Sequence, residues 1–315
     1  MIDAAPTKKI ISIVTPCFNE EENIDELYNR IVAVMATLPY DYEHICIDNA
    51  STDSTVKKIK DIASRDKRVK LIVNARNFGH IKSPYYGILQ SSGDACILIA
   101  SDLQDPPEMI VEFINKWEEG FKTVLSVKPK SEESAIMFFL RKIYYRFITR
   151  ISEVPLVQNA TGAGLFDRAV INILRDIQDP YPYFRGLLCE IGFTIAMVPF
   201  KQPRRKRGIT KNNFYTLYDI AMLGITNHSK LPLRLMAMSG FLLSFLSLLV
   251  AFIFLIAKIL YWNSFQFGSA PMLIGIFFFG AIQTFFIGVL GEYVASIHTQ
   301  VRKMPLVIEL ERVNF

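Results

Sequence analysis

The 315-residue sequence has few cysteines and lacks the common phosphate-binding motifs. Its four cysteines are Cys17, Cys46, Cys96 and Cys189. They are too scattered for a CxxC metal or redox motif, so we expect them to be reduced and packed in the interior. Neither the GxxxxGKS/T pattern nor GxGxxG occurs. These absences exclude an ordinary P-loop enzyme and an ordinary dinucleotide-binding enzyme.

Charged side chains are almost missing from two apolar runs near the C-terminus. Between Leu235 and Leu260 the only charge is Lys258, and from residue 271 to residue 297 it is Glu292. Each run exceeds the roughly 20 apolar residues that cross a bilayer core. Neither run has a polar face, which argues against a pair of buried core helices. We therefore predict two transmembrane helices.

Basic residues lie at the outer ends of the two runs but not in the stretch that joins them. The stretch between them, residues 261–270, contains no Lys or Arg. The basic residues before the first run are Arg204, Arg205, Lys206, Arg207, Lys211, Lys230 and Arg234, and those after the second are Arg302 and Lys303. The positive-inside bias therefore predicts a multi-pass protein of the cytoplasmic membrane with both termini in the cytoplasm. The start of the chain lacks the features of a cleavable signal peptide.

These observations divide the chain into three parts. We predict a cytosolic catalytic domain over residues 1–230, a two-helix membrane domain over 231–300 and a cytosolic tail over 301–315. The net charge of +5 is modest. No known binding module surrounds the basic cluster before the first run, so we expect no nucleic-acid partner.

Two amphipathic segments precede the membrane runs. In residues 135–151 apolar side chains form a band, while basic side chains that include Arg141 and Arg146 line other faces. The pattern fits an ordinary surface helix or a helix in the membrane interface. We favour the interfacial helix because the chain is tethered nearby, and residues 214–229 are a second candidate.

Residues 10–127 alternate between short apolar runs and helical segments. The predicted strands are 10–15, 44–48, 69–74, 95–100 and 123–127, and the predicted helices are 19–35, 51–63, 82–91 and 107–119. This alternation predicts an α/β fold with a doubly wound parallel sheet, whose ligands gather where strands end at their carboxyl side.

Acidic residues follow three of the predicted strands. They lie in residues 15–22, 48–55 and 100–108. Asp53 suits helix capping, as does Ser54. Asp102 needs a different explanation, because a carboxylate at the end of a buried strand is costly unless something pairs it. Mg²⁺ or Mn²⁺ bridging a diphosphate would pair it.

At these positions the sequence resembles a known family. The runs VTPCFNEEENI, DNASTDST, RNFGH and SDLQDPPEMI resemble glycosyltransferase family 2, whose fold is the nucleotide-diphospho-sugar transferase, or GT-A, type. The later RKRGITK and FFIGVLGEY, with two terminal spans, are similar to its polyprenyl-phosphate branch, which includes dolichol-phosphate mannose synthases and bacterial undecaprenyl-phosphate glucosyltransferases. The resemblance covers residues 10 to about 305.

The resemblance implies a reaction. It is the inverting transfer of a sugar from a nucleotide-sugar donor to the phosphate of a polyprenyl lipid, for modification of cell-surface glycans. We expect the donor to be UDP-glucose or a related UDP-hexose. A lipid phosphate is already ionised at neutral pH, so the enzyme needs positioning and positive charge more than a strong base.

The resemblance also implies roles for individual residues. Pro16 and Glu20 would border the nucleoside, and Asp48 would face the base. Asp102 would bind the divalent ion with Gln104 as a further ligand. Arg205 would contact the pyrophosphate or the acceptor phosphate and, with Asp102, forms the expected catalytic pair. The candidate acceptor-phosphate contacts are Arg141, Arg146, Arg205 and Lys211, of which the first two also suit binding to anionic head groups.

Two positions depart from the family pattern. Many relatives carry Asp-Xaa-Asp before the Leu-Gln, and Ala100 stands at the first of these positions. The ion would then depend more on Asp102, Gln104, diphosphate oxygens and water. Relatives often carry Asp-Asp in the second motif, where this chain has Asp48 and Asn49. The lost charge could alter contacts with the base or the ribose.

Other residues leave alternatives open. His80 has little need to act as a base, and Arg185 could pair with Glu190 or reach the sugar. Because Ala100 hints at lost catalysis, the alternative is an inactive scaffold or partner subunit of a membrane glycosylation complex. A processive synthase is disfavoured because QxxRW and further spans are missing, and two spans are too few for a flippase.

Small residues recur along the second apolar run. Gly280, Thr284 and Gly288 are four residues apart, with Gly291 beyond. This spacing permits close contact with the first span or between subunits. Together with the family resemblance it predicts a homo-oligomer. Glu292 is costly in lipid, and we expect it to have a structural partner at the interface.

Overall fold

The structure is a computed structural model that describes residues 8–128, 157, 159–200, 231–260, 269–302 and 304–315. Its strands are β1 Ile10–Cys17, β2 Asp41–Asp48, β3 Val69–Asn74, β4 Ala95–Leu98, β5 Thr123–Val127, β6 Ala160–Asp167, β7 Ile195–Pro199 and β8 Glu309–Val313. Its helices are α1 Ile24–Met35, α2 Thr55–Arg65, α3 Gly79–Gln90, α4 Met109–Glu118, α5 Arg168–Ile177, α6 Phe184–Glu190, α7 Leu231–Leu260 and α8 Ser269–Val301.

All eight strands form one sheet in the order β7-β5-β6-β4-β1-β2-β3-β8. The centre is parallel, with β1 between β4 and β2, and β2 beside β3. β6 runs antiparallel between β4 and β5, and β8 runs antiparallel along β3. The sheet is therefore mixed, where the alternating pattern predicted a parallel one. That pattern ended at residue 127 and could not include the strands that bring the antiparallel pairs.

Apolar residues cover both faces of the sheet. Ile11 and Ile13 of β1 pack towards α1 and α4, where Leu27 and Phe113 are buried in the same cluster. On the other face, buried residues from β1, β2, α3 and α5 form a second cluster. A Cβ at Gly87 would lie 2.7 Å from a side-chain carbon of Val14, so glycine lets α3 lie close to the sheet. The four cysteines are free and buried, as predicted.

Helix α1 begins later than predicted. The acidic stretch from residue 19 suggested a helix start there, but Asn19 has φ of 56° and the helix begins at Ile24. Within α1 the buried residues are Ile24, Leu27, Ile31, Val34 and Met35, which is the spacing of one helix face. Residues 19–23 are thereby left as a loop at the end of β1.

Helices α7 and α8 are long enough and apolar enough to span a membrane. Their segments Leu231–Val250 and Gly275–Val301 have mean hydropathies of 1.9 and 1.6, and no part of the tested windows is buried by the described protein. Large side chains such as Phe241 and Phe277 are exposed. This exposure is the opposite of what core helices show, and it suits an apolar surrounding.

The chain after α8 returns to the sheet. Residues 301–315, predicted as a tail, contain β8, which pairs with β3 from Leu71 opposite Val313 onwards. Tyr86 donates a hydrogen bond to Glu309 at 2.8 Å, and Asn314 donates to the carbonyl oxygens of Ala63 and Val69, each at 2.8 Å. The C-terminal segment is therefore an integral edge of the α/β unit.

Candidate active site

Three loops meet at the carboxyl edge of the sheet. They follow β1, β2 and β4, which are neighbours, and their residues are 18–23, 49–54 and 99–108. Ser101 in the third loop donates to the carbonyl oxygen of Pro16 at the end of β1, at 2.9 Å. The topology thus brings together the three acidic segments that the sequence singled out, as expected for a ligand crevice at strand ends.

The first two loops are tied to each other by backbone donors. Asn19 N donates to the Ser51 hydroxyl at 2.9 Å, and Asn19 Oδ1 accepts from Thr52 N at 2.8 Å. Glu20 N donates to the Thr55 hydroxyl at 2.9 Å. Asn19 and Ala50 both have positive φ, of 56° and 63°. Non-glycine residues in this region are strained, and such strain is held where the surrounding contacts fix it.

Asp48 anchors the second loop from the end of β2. Its side chain is buried, and its two oxygens accept from the hydroxyl and from the N–H of Ser51, the latter at 2.9 Å. Burial raises the pKa of Asp48, and the bonds from Ser51 work against that rise. Glu20 in the facing loop is half-buried, and its Oε2 accepts from Asn23 at 2.6 Å.

Asn49 is a hub that the sequence did not reveal. Its Oδ1 accepts from Phe78 N at 2.8 Å and from Asn74 Nδ2 at 3.2 Å. Its Nδ2 donates to Asn77 Oδ1 at 2.9 Å and to the carbonyl of Gly79 at 3.2 Å. The side chain therefore holds the RNFGH loop in place. Its four contacts explain why an amide stands here, because a carboxylate could not donate.

The third loop places two carboxylates and an amide close together. Asp102 Oδ1 accepts from Gln104 N at 3.1 Å, and Leu103 between them has φ of 57°. Asp102 and Gln104 are half-buried, whereas Asp105 is 8% exposed. Burial, reinforced by the negative charge of Asp102, raises the pKa of Asp105 to about 6. No feature of the sequence marks Asp105, since only its burial distinguishes it.

Strand β6 begins beyond the carboxyl end of β4, where Leu98 pairs with Gly164, and helix α6 is bonded to it. Arg185 donates to the carbonyl of Thr161 at 2.9 Å, and Gly162 beside it has φ of 107°. Burial, followed by the charge of Arg185, lowers the pKa of His80. A lowered pKa leaves this imidazole uncharged at neutral pH. Arg185 is thus tied to β6, while Glu190 lies exposed at the end of α6.

The structure places some predicted site residues together and leaves others untested. Glu20, Asp102 and Gln104 lie on the loops that follow β1 and β4, and Pro16 and Asp48 lie at the ends of the adjacent strands β1 and β2. The basic residues Arg141, Arg146, Arg205 and Lys211 lie outside the described residues, as do the segments 135–151 and 214–229. Among the described residues no group of three or more His, Cys, Asp or Glu side chains is arranged to hold a metal ion. A cation here would depend on few carboxylates and on oxygen atoms from its ligand.

Comparison with known proteins agrees with this architecture. The family model described as glycosyl transferase family 2 matches residues 12–172. The glycosyltransferase sll0501 of Synechocystis sp. is 34% identical over 297 residues, which cover 94% of this chain and 93% of its own. The SfII prophage-derived bactoprenol glucosyl transferase of Shigella flexneri is 31% identical over 296 residues, covering 94% of this chain and 96% of its own.

A third relative is the prophage bactoprenol glucosyl transferase homolog of Escherichia coli K12, which is 30% identical over 94% of this chain and 96% of its own. The similarity therefore includes the apolar C-terminal helices as well as the sheet. The mixed α/β sheet with its loops at the carboxyl edge is the GT-A type of fold that the motifs predicted. The chain belongs to glycosyl transferase family 2 and is a glycosyltransferase.

Proposed function

We propose that this glycosyltransferase moves glucose or a related hexose from a UDP-sugar to the phosphate of a polyprenyl phosphate, with inversion, at the cytoplasmic face of the membrane. The product would supply sugar for modification of cell-surface glycans. The observation that carries the proposal is the joining of a nucleotide-sugar transferase sheet to two helices of membrane-spanning length in one chain. Relatives named bactoprenol glucosyl transferase over almost the whole chain support it.

The acceptor explains the chemistry that the site offers. A phosphate monoester is ionised at neutral pH, so its oxygen can attack the anomeric carbon as the nucleoside diphosphate leaves. One bond forms and one breaks on opposite faces of that carbon, which inverts its configuration. His80 has a lowered pKa and is not needed to remove a proton. The task of the protein is to align both reactants and to stabilise the charge of the departing diphosphate.

The rigid loops suit the alignment of a donor. Hydrogen bonds that join residues 19–21 to residues 51–55 fix one wall, and Asn49 fixes the RNFGH loop beside it. Pro16, Glu20 and Asp48 lie on this wall, where we propose that the nucleoside binds. A site built from such fixed loops needs little rearrangement when its ligand arrives.

We propose Mg²⁺ or Mn²⁺ as the cofactor, held by Asp102 and Gln104. Both side chains are half-buried and follow a strand end, and their oxygens are the ligand type that these ions prefer. When bound, the ion would neutralise charge on the donor diphosphate. Arg205, Arg141, Arg146 and Lys211 remain the proposed contacts for the acceptor phosphate, with Arg205 also serving the pyrophosphate.

We also propose that the chain works as a homo-oligomer in the membrane. A Cβ placed at Gly280, Gly288 or Gly291 would meet nothing within 4 Å. These positions of α8 are therefore open in the single chain, and glycines allow a second helix to approach closely. Glu292 near the end of that helix is proposed to have a role in assembly.

Donor choice can be tested with purified full-length protein in detergent. Undecaprenyl phosphate, Mg²⁺ or Mn²⁺ and a panel of radiolabelled UDP- and GDP-sugars are supplied, and label is counted in the organic phase. We expect transfer from UDP-glucose, its loss in Asp102→Asn, and its retention in Asp41→Asn. Asp41 is an exposed residue that pairs with Lys8 at the opposite end of β2, so it is a matched control.

The same assay separates the alternative of an inactive scaffold or partner subunit. Ala100 is the observation that favours it. An inactive chain would transfer no sugar from any donor and would bind UDP no better with the divalent ion than without it. Transfer from a GDP-sugar alone would retain the reaction class and overturn the choice of UDP.

A further inference from the structure

Asp105 is an exception among the buried carboxylates of the described residues. Glu43 and Asp48 are also buried, but their oxygens are held by hydrogen bonds from Lys70, serine side chains or backbone N–H groups. Asp105 is 8% exposed, and its Oδ1 has no hydrogen-bond partner. Among the residues that the structure describes, Oδ1 of Asp105 is thus the one carboxylate oxygen buried without a partner, and Asp105 directly follows the candidate cation ligand Gln104.

Such an oxygen is expensive to keep. The Thr161 hydroxyl supplies one hydrogen bond to the carboxylate of Asp105, but the buried Oδ1 has lost its hydration and gained no bond in return. Contacts within the described residues therefore leave Oδ1 of Asp105 unpaired, whereas a ligand that arrives with positive charge would pair with it.

The position of Asp105 identifies the charge that it would meet. It follows Gln104 directly and lies three residues after Asp102, in the same turn after β4. The turn is held by the bond from Gln104 N to Asp102 Oδ1, so both carboxylates and the Gln104 amide belong to one short segment. Two carboxylates in one turn repel each other unless a cation lies between them.

Ala100 sharpens the argument. With alanine at this position, Asp102 and the amide of Gln104 are left as the proposed protein ligands, and one carboxylate is a weak site for a dipositive ion. We propose that Asp105 is the second protein carboxylate of the divalent-cation site, and that it replaces the acidic residue missing at position 100. This inference rests on the proposed function only in taking the ion to be the one that accompanies the nucleotide donor.

Cation binding itself is the test, because it needs neither acceptor lipid nor transfer. Binding of Mn²⁺ to the full-length protein in detergent is followed by the electron paramagnetic resonance signal of free Mn²⁺, with UDP present. We expect Asp105→Asn to weaken Mn²⁺ binding at least tenfold, as Asp102→Asn does, because each removes a charged ligand. Asp41→Asn, which removes a distant carboxylate, should bind Mn²⁺ like the parent.

A rescue experiment distinguishes a ligand from a general loss of charge. Ala100 is half-buried after β4, so a carboxylate can be restored there. The double variant Ala100→Asp, Asp105→Asn is expected to recover Mn²⁺ affinity to within about threefold of the parent. Recovery would support substitution of one ligand by another, and failure to recover alongside a normal Asp41→Asn control would count against it.

The thermal midpoint of the metal-free protein controls for folding. If Asp105 serves a ligand, Asp105→Asn should leave the midpoint unchanged or raised, because a buried unpartnered charge is removed. A lowered midpoint with unchanged Mn²⁺ affinity would overturn the proposal and make Asp105 a structural residue. Unchanged Mn²⁺ affinity with lost transfer would overturn it in favour of a contact with the sugar. If the parent transfers no sugar but Asp105→Asn still weakens Mn²⁺ binding, the inference is supported while the proposed function fails.

Discussion

Asn49 shows how one residue can depart from a family pattern for a structural reason. The sequence alone suggested that losing a carboxylate here alters contacts with the nucleotide. The structure gives the amide four partners in the segment from Asn74 to Gly79. Both its donor and its acceptor are needed, so the exchange of Asp for Asn supports the loop beside the site.

We expect Asn49→Asp to destabilise the protein by about 1–3 kcal/mol, because two donated bonds are lost and a carboxylate faces Asn77 Oδ1. Chemical denaturation of the full-length protein in detergent measures the change. Asn172→Asp, an exposed change on α5, is the control and should alter stability little. If Asn49→Asp unfolds at the same denaturant concentration as the parent, the hydrogen bonds of the Asn49 side chain add no stability.

Glu43 supplies a pH-dependent part of the stability. It accepts from Ser12 at 2.5 Å, from Lys70 at 2.6 Å and from Ser92 N at 2.7 Å. Burial raises the pKa of Glu43, but the bonds from Lys70, Ser12 and Ser92 outweigh burial, so its pKa is lowered from 4.5. Its contribution is therefore complete above the unfolded pKa and is lost as the pH falls through the lowered folded value.

The resulting prediction concerns Glu43→Gln. At pH 7 the free energy of unfolding of the variant should be lower than that of the parent by about 2–3 kcal/mol, because hydrogen bonds to a charged carboxylate are replaced by bonds to a neutral amide. The difference in stability between parent and variant should become smaller as the pH falls below 4.5. Unfolding midpoints of both proteins, measured from pH 7 to pH 3, report this difference. A difference that stays constant over this range would mean that Glu43 does not keep a lowered pKa in the folded state.

At the scale of elements, hydrophobic pattern identified most of the central sheet. The predicted strands over residues 69–74 and 123–127 match β3 and β5. The pattern failed where side chains carry no apolar alternation: β6 reads ATGAGLFD and β8 reads ELERV. Their strand form is imposed by neighbours already in the sheet, and tertiary pairing of this kind leaves no local signal.

Strand β8 makes the far end of the chain part of the α/β unit. We predict that Asn314→Ala lowers stability by about 1–3 kcal/mol, because its Nδ2 bonds to the carbonyls of Ala63 and Val69 are lost. Thermal unfolding measures the effect, and Asn172→Ala serves as the exposed control. Equal midpoints for the two variants would show that this end of β8 is not anchored as described.

The candidate site was predictable in part. Motif order located the three loops, and the parallel register of β1, β2 and β4 explains why they meet. Asp105 gained its importance from burial, which a single sequence does not reveal. The sequence named Arg185 as a candidate, but its bond to Thr161 of strand β6 depends on tertiary structure. The proposed acceptor contacts Arg141, Arg146, Arg205 and Lys211 stay predictions, because they lie outside the described residues.

In the whole molecule, no single truncation removes the apolar helices and leaves the sheet complete. The helices α7 and α8 lie between β7 and β8 in the sequence, while β8 completes the sheet edge at β3. A variant that ends at residue 230 therefore loses both the apolar helices and a strand. A variant in which a flexible linker replaces residues 231–302 loses only the helices.

We expect the second variant to have a clearly higher thermal midpoint and to aggregate less, because it keeps the β3 edge covered. Light scattering during thermal unfolding compares the two. Both variants should be less dependent on detergent than the full chain, whose apolar helices are exposed. Equal midpoints and equal aggregation would show that β8 contributes nothing to the sheet in solution.

The phosphate of the lipid acceptor is the feature on which the proposed reaction most depends. The direct test supplies the full-length protein in detergent with radiolabelled UDP-glucose, a divalent ion, and either undecaprenyl phosphate or undecaprenol. We predict label in the organic phase with undecaprenyl phosphate only, and its loss in Asp102→Asn. Equal labelling of the alcohol, or no labelling of either lipid by a folded protein, would contradict transfer to a polyprenyl phosphate.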